Sequence, residues 1–260
     1  MVEVVETRSV GRVTVLSLNG PGRRNAISVE MREATIRTLK ACIASDDCRA
    51  IVLTGNNGDF SSGGDVKATR AEAEPDPLRT RRNAMLLHDV VRLIAVGPKA
   101  VVAAVEGCAY GAGVSLAAAC DYVVAARGAR FCASFGKVGL MADAGLTWSL
   151  VQRVGPVKAK QLLLTARIVE AEEATAIGLA DQLVETGGAL DAAIAEAETY
   201  AGLAPLAVAA MKSALGRGPA PLETMLAIEA DLQPMLAMSH DYREGREAFS
   251  ERRKPTFRGR

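Results

Sequence analysis

Residues 101–150 constrain the fold more than any other part of this chain. The stretch opens with a β-branched, apolar run over residues 101–105 that stops at Glu106-Gly107, the pattern of a buried strand meeting a turn. Gly111-Ala112-Gly113 follows, then Val114, Leu116 and three alanines, side chains small enough for a helix packed tightly on a sheet. A strand, a small-residue turn and a helix in that order aim the unpaired N–H groups of a first helical turn at one point. An anion, or an oxygen that develops negative charge, is favoured there. The same glycines would equally serve close helix-on-sheet packing, so the motif alone leaves both readings open.

A second unit of the same build precedes it. Residues 50–54 read as a short buried strand and Gly55-Asn56-Asn57-Gly58-Asp59 as a turn. Phe60-Ser61-Ser62-Gly63-Gly64-Asp65 then leads into another helix. Two such units can each supply one N–H to a shared oxyanion. Upstream, residues 2–7 and 10–18 are expected to be strands joined at Ser9 or Gly11. Arg23-Arg24-Asn25-Ala26 lies in a loop before Ser28, a helix N-cap, and Met31, Ala34, Leu39, Cys42 and Ile43 recur at helical spacing.

Downstream, residues 71–77 are rich in Glu, Pro and Ala and read as a surface loop. Residues 79–94 read as a helix with Met85, His88, Val91 and Ile94 on one face. Short helices are expected at 156–165 and 170–178, a last strand at 180–184, and helix from Ala189 onward. Leu222, Met225, Leu226, Leu232, Met235 and Leu236 form an apolar stripe that Pro234 should kink or end. Such a stripe must bury against the core or another subunit.

Composition excludes several classes. At 260 residues, the chain suits one large domain, or a domain with an appendage. A net charge of +1 argues against a general nucleic-acid binder. The 5 cysteines (Cys42, Cys48, Cys108, Cys120, Cys132) form no CxxC pair and suit reduced thiols in a cytoplasmic protein. With only His88 and His240, no histidine metal site is expected. The opening Val2-Glu3-Val4-Val5-Glu6 is unlike a secretion signal. Glu106 and Asp121 interrupt the most apolar region, so no membrane span is expected.

Taken together, these motifs give the chain a family look. It resembles the crotonase (enoyl-CoA hydratase/isomerase) superfamily in Arg24-Asn25-Ala26, in residues 60–67, in 107–116, in Ala119-Cys120-Asp121-Tyr122 and in 139–150. The ending Asp241-Tyr242-Arg243-Glu244-Gly245, with Ala248-Phe249 and Arg252-Arg253, is similar too. The resemblance implies an α/β fold: a spiral of ββα repeats over residues 1–200, with a C-terminal helical region, 201–260, that makes a homotrimer or a hexamer. It implies an acyl-CoA thioester as substrate, no cofactor beyond the CoA moiety, no metal, and neither a nucleic acid nor a membrane as partner. By the same resemblance, Gly64 and Ala112 donate their N–H groups to the thioester oxygen. Arg23, Arg24, Ala26, Ser62, Asp65 and Lys67 lie along CoA, with Arg252 reaching phosphate from a neighbouring subunit.

Hydratases of this family use two glutamates, and the corresponding places here hold Ser115 and Phe135, which cannot replace a carboxylate at neutral pH. Hydration of a 2-enoyl-CoA is therefore not expected. Asp143, between the apolar Met141-Ala142 and Ala144, is the remaining acid. Dienoyl-CoA isomerases and the ring-1,2-epoxyphenylacetyl-CoA isomerases carry an aspartate at this place, and the chain looks most like the latter, which implies a CoA-thioester isomerase with Asp143 as base. Asp143 also reads as a helix N-cap before residues 144–148. Within the family a rival is a 4-chlorobenzoyl-CoA dehalogenase-like enzyme with Asp143 as nucleophile, His88 and Phe135 beside it. The residues are also compatible with a hydratase-like lyase and with a non-catalytic acyl-CoA binder.

Overall fold

The computed structural model describes residues 3–65 and 76–260, and its central strand is the run of small and β-branched residues Ala100–Val105. Six strands form one sheet in the order β1-β2-β3-β4-β6-β9. They are β1 (Val5–Val10), β2 (Val13–Leu18), β3 (Ala50–Gly55), β4 (Ala100–Val105), β6 (Tyr122–Ala126) and β9 (Gln182–Val184). A smaller sheet holds β5 (Cys108–Tyr110), β7 (Arg130–Cys132) and β8 (Val169–Glu170). Only β1 runs antiparallel in the large sheet; Val10 pairs with Val13 across a tight turn that begins at Gly11, φ 55°. A glycine at the first turn position suits the right-handed twist of a hairpin.

The sheet alternation divides the core. Val13, Val15, Ala50, Val52, Ala100, Val102, Ala104, Val124 and Ala126 face one way, and Leu16, Leu18, Ile51, Leu53, Val101, Ala103, Val105, Val123 and Ala125 face the other. Both faces are covered, which is why the parallel strands read as continuous apolar runs rather than alternating ones. On the first face lies a helix, Ala189–Ala201, which touches the sheet through Ala189, Ala193 and Ala197, all fully buried. Small side chains at every fourth position let that helix sit close. Its N-terminus is held by Glu106 at the end of β4, whose Oε1 accepts the N–H groups of Gly187 (2.9 Å) and Ala189 (3.2 Å).

The other helices are α1 (Val29–Ala44), α2 (Pro77–Ala95), α3 (Ala112–Ala119), α4 (Leu146–Thr165) and α5 (Ala171–Ala176). Ala189–Ala201 is α6, and α7 (Pro205–Leu215), α8 (Leu222–Ala237) and α9 (His240–Glu251) close the chain. Ser28 caps α1 as its sequence implies, its Oγ accepting from Met31 N at 3.1 Å. Successive repeats give one strand to each sheet: β4 and then β5 before α3, and β6 and then β7 before α4. The segment after β3 joins this series through the parallel bridge Ser61↔Ala109.

One expectation is corrected: Met85 is exposed, and the buried face of α2 is Leu87, Val90, Val91 and Ile94, because its contact with α1 fixes the rotation. The helix expected at 156–165 is present as the second half of α4: the backbone breaks at Gly155 (φ 74°, ψ 163°), and Pro156 then occupies a first-turn position. Pro234 does not end α8, which runs on to Ala237. The hydrogen bond it removes falls to the exposed Ala230 carbonyl, which water can satisfy. The loop expected at 71–77 and the helix expected after Asp65 lie largely outside the described residues.

No residue of α8 is buried. The C-terminal helices are tied to the sheet instead by Lys212 of α7, whose Nζ donates to Ile94 O (2.9 Å) and to Asp121 Oδ2. Asp121 Oδ2 also accepts from Val101 N at 2.7 Å, so one carboxylate joins β4, the end of α3 and α7. Among the described residues, no helix is long and apolar enough to cross a membrane.

Candidate active site

Two glycine turns meet at the top of α3. The segment after β3 is laid on β5: Ser61 N donates to Cys108 O (2.8 Å) and Tyr110 N to Ser61 O (2.9 Å). Gly63 then adopts φ 92°, where a Cβ would lie 2.5 Å from Tyr110 O and 3.2 Å from Ala112 N. From the other side, a Cβ at Gly113 would lie 2.5 Å from Ser61 O. Neither turn could approach the other if these residues carried side chains. Gly111, φ 52°, is the N-cap of α3 and has no side chain with which to cap. Ala112 opens the helix, so its N–H has no intrahelical acceptor. Gly64 lies beside it, bridged to Ile27, whose N–H donates to Gly63 O at 2.7 Å. A Cβ built on Gly64 meets no atom of the described residues within 4 Å.

Asn25 sets the loop before Ser28. It is fully buried; its Oδ1 accepts from Gly20 N (2.9 Å), and its Nδ2 donates to Asn56 O (2.8 Å) and Asp59 O (2.6 Å). Arg24 and Asn25 both take left-handed conformations, φ 49° and 55°, for which these bonds compensate. The loop thereby brings Arg23, Arg24, Ala26, Ser62 and Asp65 into one strip beside Gly64. Ser62 N donates to Arg24 O (2.8 Å) and Ser62 Oγ to Arg23 O (3.0 Å).

The two arginines differ. Arg24 gives Nε and one Nη to Asp59 (2.7 and 2.9 Å), which raises its guanidinium further and holds the Asp59 carboxyl below the usual range. Asp59 Oδ1 also accepts from Cys108 N at 2.8 Å, so this fork braces the two turns. Arg23 pairs with Asp65 at 2.5 Å and is 62% exposed, leaving it the more available cation of the two. Lys67 lies outside the described residues. Arg252 is the exposed, left-handed C-cap of α9, and among the described residues no hydrogen bond joins it to the strip.

Ser115 lies one turn below Ala112 on α3, fully buried, with Oγ within 3.2 Å of Gly111 O and 3.1 Å of Asp143 O. It therefore fastens the backbone of Asp143 to the helix that carries Ala112, within about 5 Å along its axis. Asp143 Oδ1 is buried and, among the described residues, has no hydrogen-bond partner. Burial pushes the Asp143 carboxyl up, while the charges of Arg32 and then His88 pull it back. Of the apolar pair before it, Ala142 packs against the core, whereas Met141 is 78% exposed. Asp143 does not cap α4 with its side chain. Gly145 is the N-cap, and Asp143 contributes only its carbonyl, to Leu146 N at 3.1 Å.

His88 is half-buried on α2, and Phe135 is buried in the 3-10 helix Ser134–Val138, where it joins the core. Arg32 is the site-facing residue that sequence reasoning misses. A single arginine after Met31 in a charged helix reads as solvated surface, and no local pattern marks it otherwise. Chemically, the arrangement offers two backbone donors and a part-buried carboxylate whose Oδ1 has no hydrogen-bond partner among the described residues, its backbone fastened to the helix that Ala112 opens. No cluster of His, Cys, Asp and Glu suited to a metal ion occurs among the described residues.

Comparison with known proteins agrees with this geometry. The model of the family "Enoyl-CoA hydratase/isomerase" matches residues 8–260. The "Probable enoyl-CoA hydratase" of Rhodobacter capsulatus is 39% identical over 249 residues, 95% of each chain. The "1,2-epoxyphenylacetyl-CoA isomerase" and the "2,3-dehydroadipyl-CoA hydratase" of Escherichia coli are each 34% identical over the whole of both chains. Among solved structures, an enoyl-CoA hydratase from Polaromonas superposes with a TM-score of 0.93 at 34% identity, covering 98% of this chain and 99% of the other.

Proposed function

The chain belongs to the enoyl-CoA hydratase/isomerase family and has its crotonase fold, and from that premise we propose that it is a CoA-thioester isomerase with Asp143 as its base. Overall likeness does not decide the chemistry: relatives at 38–39% identity carry hydratase names, while an isomerase and a hydratase of Escherichia coli match at the same 34%. The site has to choose. One observation carries the reading: Asp143 Oδ1 is buried and, among the described residues, has no hydrogen-bond partner, burial raises its carboxyl, and its main-chain carbonyl is held by Ser115, one turn along the helix that Ala112 opens. The places where the hydratases carry glutamate hold a serine bonded to backbone and a phenylalanine packed in the core.

In this reading the thioester oxygen accepts from Gly64 N–H and Ala112 N–H. Asp143 removes a proton from the acyl chain, and the electron pair moves into the carbonyl to give an enolate. The enolate then takes the proton back from the Asp143 carboxyl at a different carbon, so the double bond shifts with no net gain or loss of atoms. Each preorganised donor is worth roughly 3–4 kcal/mol in reactions of this kind. The step needs no cofactor beyond the CoA moiety of the substrate, which Arg23, Ala26 and Ser62 would flank. Arg24 serves this strip by bracing it against Asp59.

We also assign residues 201–260 to self-association, as a homotrimer or a dimer of trimers, beside a core over 1–200 that carries the site. The support is the exposed apolar surface there: Leu215, Leu222, Met235, Met238 and Phe249 are each about 70% exposed or more, and Phe249 with Leu206, Leu236 and Phe257 lines a groove of about 750 Å³. A cytoplasmic location suits an acyl-CoA substrate and unpaired cysteines.

The test is solvent isotope exchange. A 3-enoyl-CoA incubated with the protein in deuterium oxide should gain deuterium at carbons 2 and 4. Asp143→Asn should slow this by roughly 10²-fold or more at an unchanged melting temperature. Crotonyl-CoA hydration should stay near background. Wild-type exchange in the Asn variant, or hydration at tens of turnovers per second, would refute the assignment.

A further inference from the structure

Arg32 has two of its three nitrogens fixed and the third left over. Nη1 donates to Asn83 O on α2 (2.7 Å) and Nη2 to Ile27 O before α1 (3.3 Å). These carbonyls hold the planar fork in one orientation. Nε is buried and, among the described residues, has no partner. Arg32 also forms no ion pair within contact distance there, so a desolvated cation faces no touching anion. Such a charge is tolerated only if something at longer range compensates it.

Asp143 is the complementary case, a carboxylate with a buried, unbonded oxygen. Each acts on the other through space: Asp143 raises the Arg32 guanidinium that burial lowers, and Arg32 is the larger of the two cationic influences that lower the Asp143 carboxyl. Among the described residues, Arg32 from α1 and His88 from α2 are the titratable groups whose charge reaches Asp143, and Ser115 from α3 bonds its carbonyl. A guanidinium stays charged throughout the working pH range, whereas an imidazole loses its charge within it.

We propose that Arg32 is a positioning residue of this site, acting on substrate only through Asp143: it is the steady counter-charge that lets a buried carboxylate remain ready to accept a proton. This rests on the isomerase reading. The competing role for Arg32 is a mechanical strut between α1 and α2, which would leave Asp143 indifferent to its charge.

The experiment follows the Asp143 carboxyl directly, by carbon-13 NMR of aspartate-labelled protein, with Asp143→Asn identifying the signal. Arg32→Gln removes the charge and, being shorter, the reach to the Asn83 and Ile27 carbonyls, whereas Arg32→Lys keeps the charge without the planar fork, so the pair separates charge from strut. Losing a nearby cation disfavours the carboxylate, so its titration midpoint should move to higher pH. The acid limb of deuterium exchange into 3-hexenoyl-CoA should move with it, giving a rate about tenfold below wild type at a fixed pH on that limb. Arg32→Lys should lie closer to wild type in both. An unmoved midpoint in a folded Arg32→Gln protein would overturn the proposal. A moved midpoint with unmoved exchange would instead overturn the isomerase reading and leave the charge pairing intact. Should Arg32→Gln not fold, the ammonium introduced by Arg32→Lys should titrate lower when Asp143→Asn is added, and no difference between the two proteins would overturn it.

Discussion

Gly63→Ala and Gly64→Ala, neighbours in one turn, should fail in opposite ways. At Gly63 the new Cβ would stand 2.5 Å from Tyr110 O and 3.2 Å from Ala112 N, both backbone atoms, at φ 92°. Carbon and oxygen approach no closer than about 3.3 Å even in favourable C–H···O contacts, so one turn must retreat by roughly 0.8 Å. Left-handed backbone costs a non-glycine residue about 1–2 kcal/mol, and forced overlap in packed regions about 1–3 more. The total, about 2–5 kcal/mol, should lower the melting temperature of a chain this size on the order of 10 °C. Catalysis should fall about 10²-fold in the molecules that stay folded, since a donor misplaced by nearly 1 Å no longer meets the thioester oxygen. At Gly64 a Cβ meets nothing among the described residues within 4 Å, and the backbone is not left-handed. That variant should melt within about 0.5 kcal/mol of wild type, the range of contact-free substitutions. Its methyl group would project into the space a thioester needs, so acyl-CoA affinity should drop. Differential scanning calorimetry beside the exchange assay reads both arms. Equal stability of the two variants would refute the claim that the turns meet only because these side chains are absent. Wild-type affinity of Gly64→Ala would refute the placement of substrate beside that turn.

Other expectations follow from single contacts. The Asp59 carboxyl, held below its ordinary 3.8 by Arg24, contributes stability that is present above that pH and lost as the pH falls below it. Acid melts of Asp59→Asn should lack this dependence, and identical acid profiles would refute it. Lys212→Met should destabilise by about 3 kcal/mol, because it strands Asp121 mostly buried beside an apolar chain; adding Asp121→Asn should recover part of the loss in urea titrations. Light scattering of the wild type should show a trimer or hexamer at micromolar concentration, shifted toward smaller species by Met235→Glu with Phe249→Glu. A monodisperse wild-type monomer would rule out self-association through this surface.

Local pattern carried much of this protein. Most strands of the large sheet, the Ser28 cap and both glycine turns are legible because each depends on neighbours a few residues away: period, turn chemistry, absent side chains. What local pattern could not carry was the pairing of residues far apart in the chain. Arg24 reads as one more basic residue of an exposed loop until Asp59, 35 positions on, is seen to hold its fork. Glu106 reads as the end of a strand until it caps a helix more than 80 residues later. Arg32 reads as surface, and only the approach of α1 and α2 buries it. Burial and electrostatic partnership belong to pairs of distant residues, and chain folding, not residue type, decides which pairs meet.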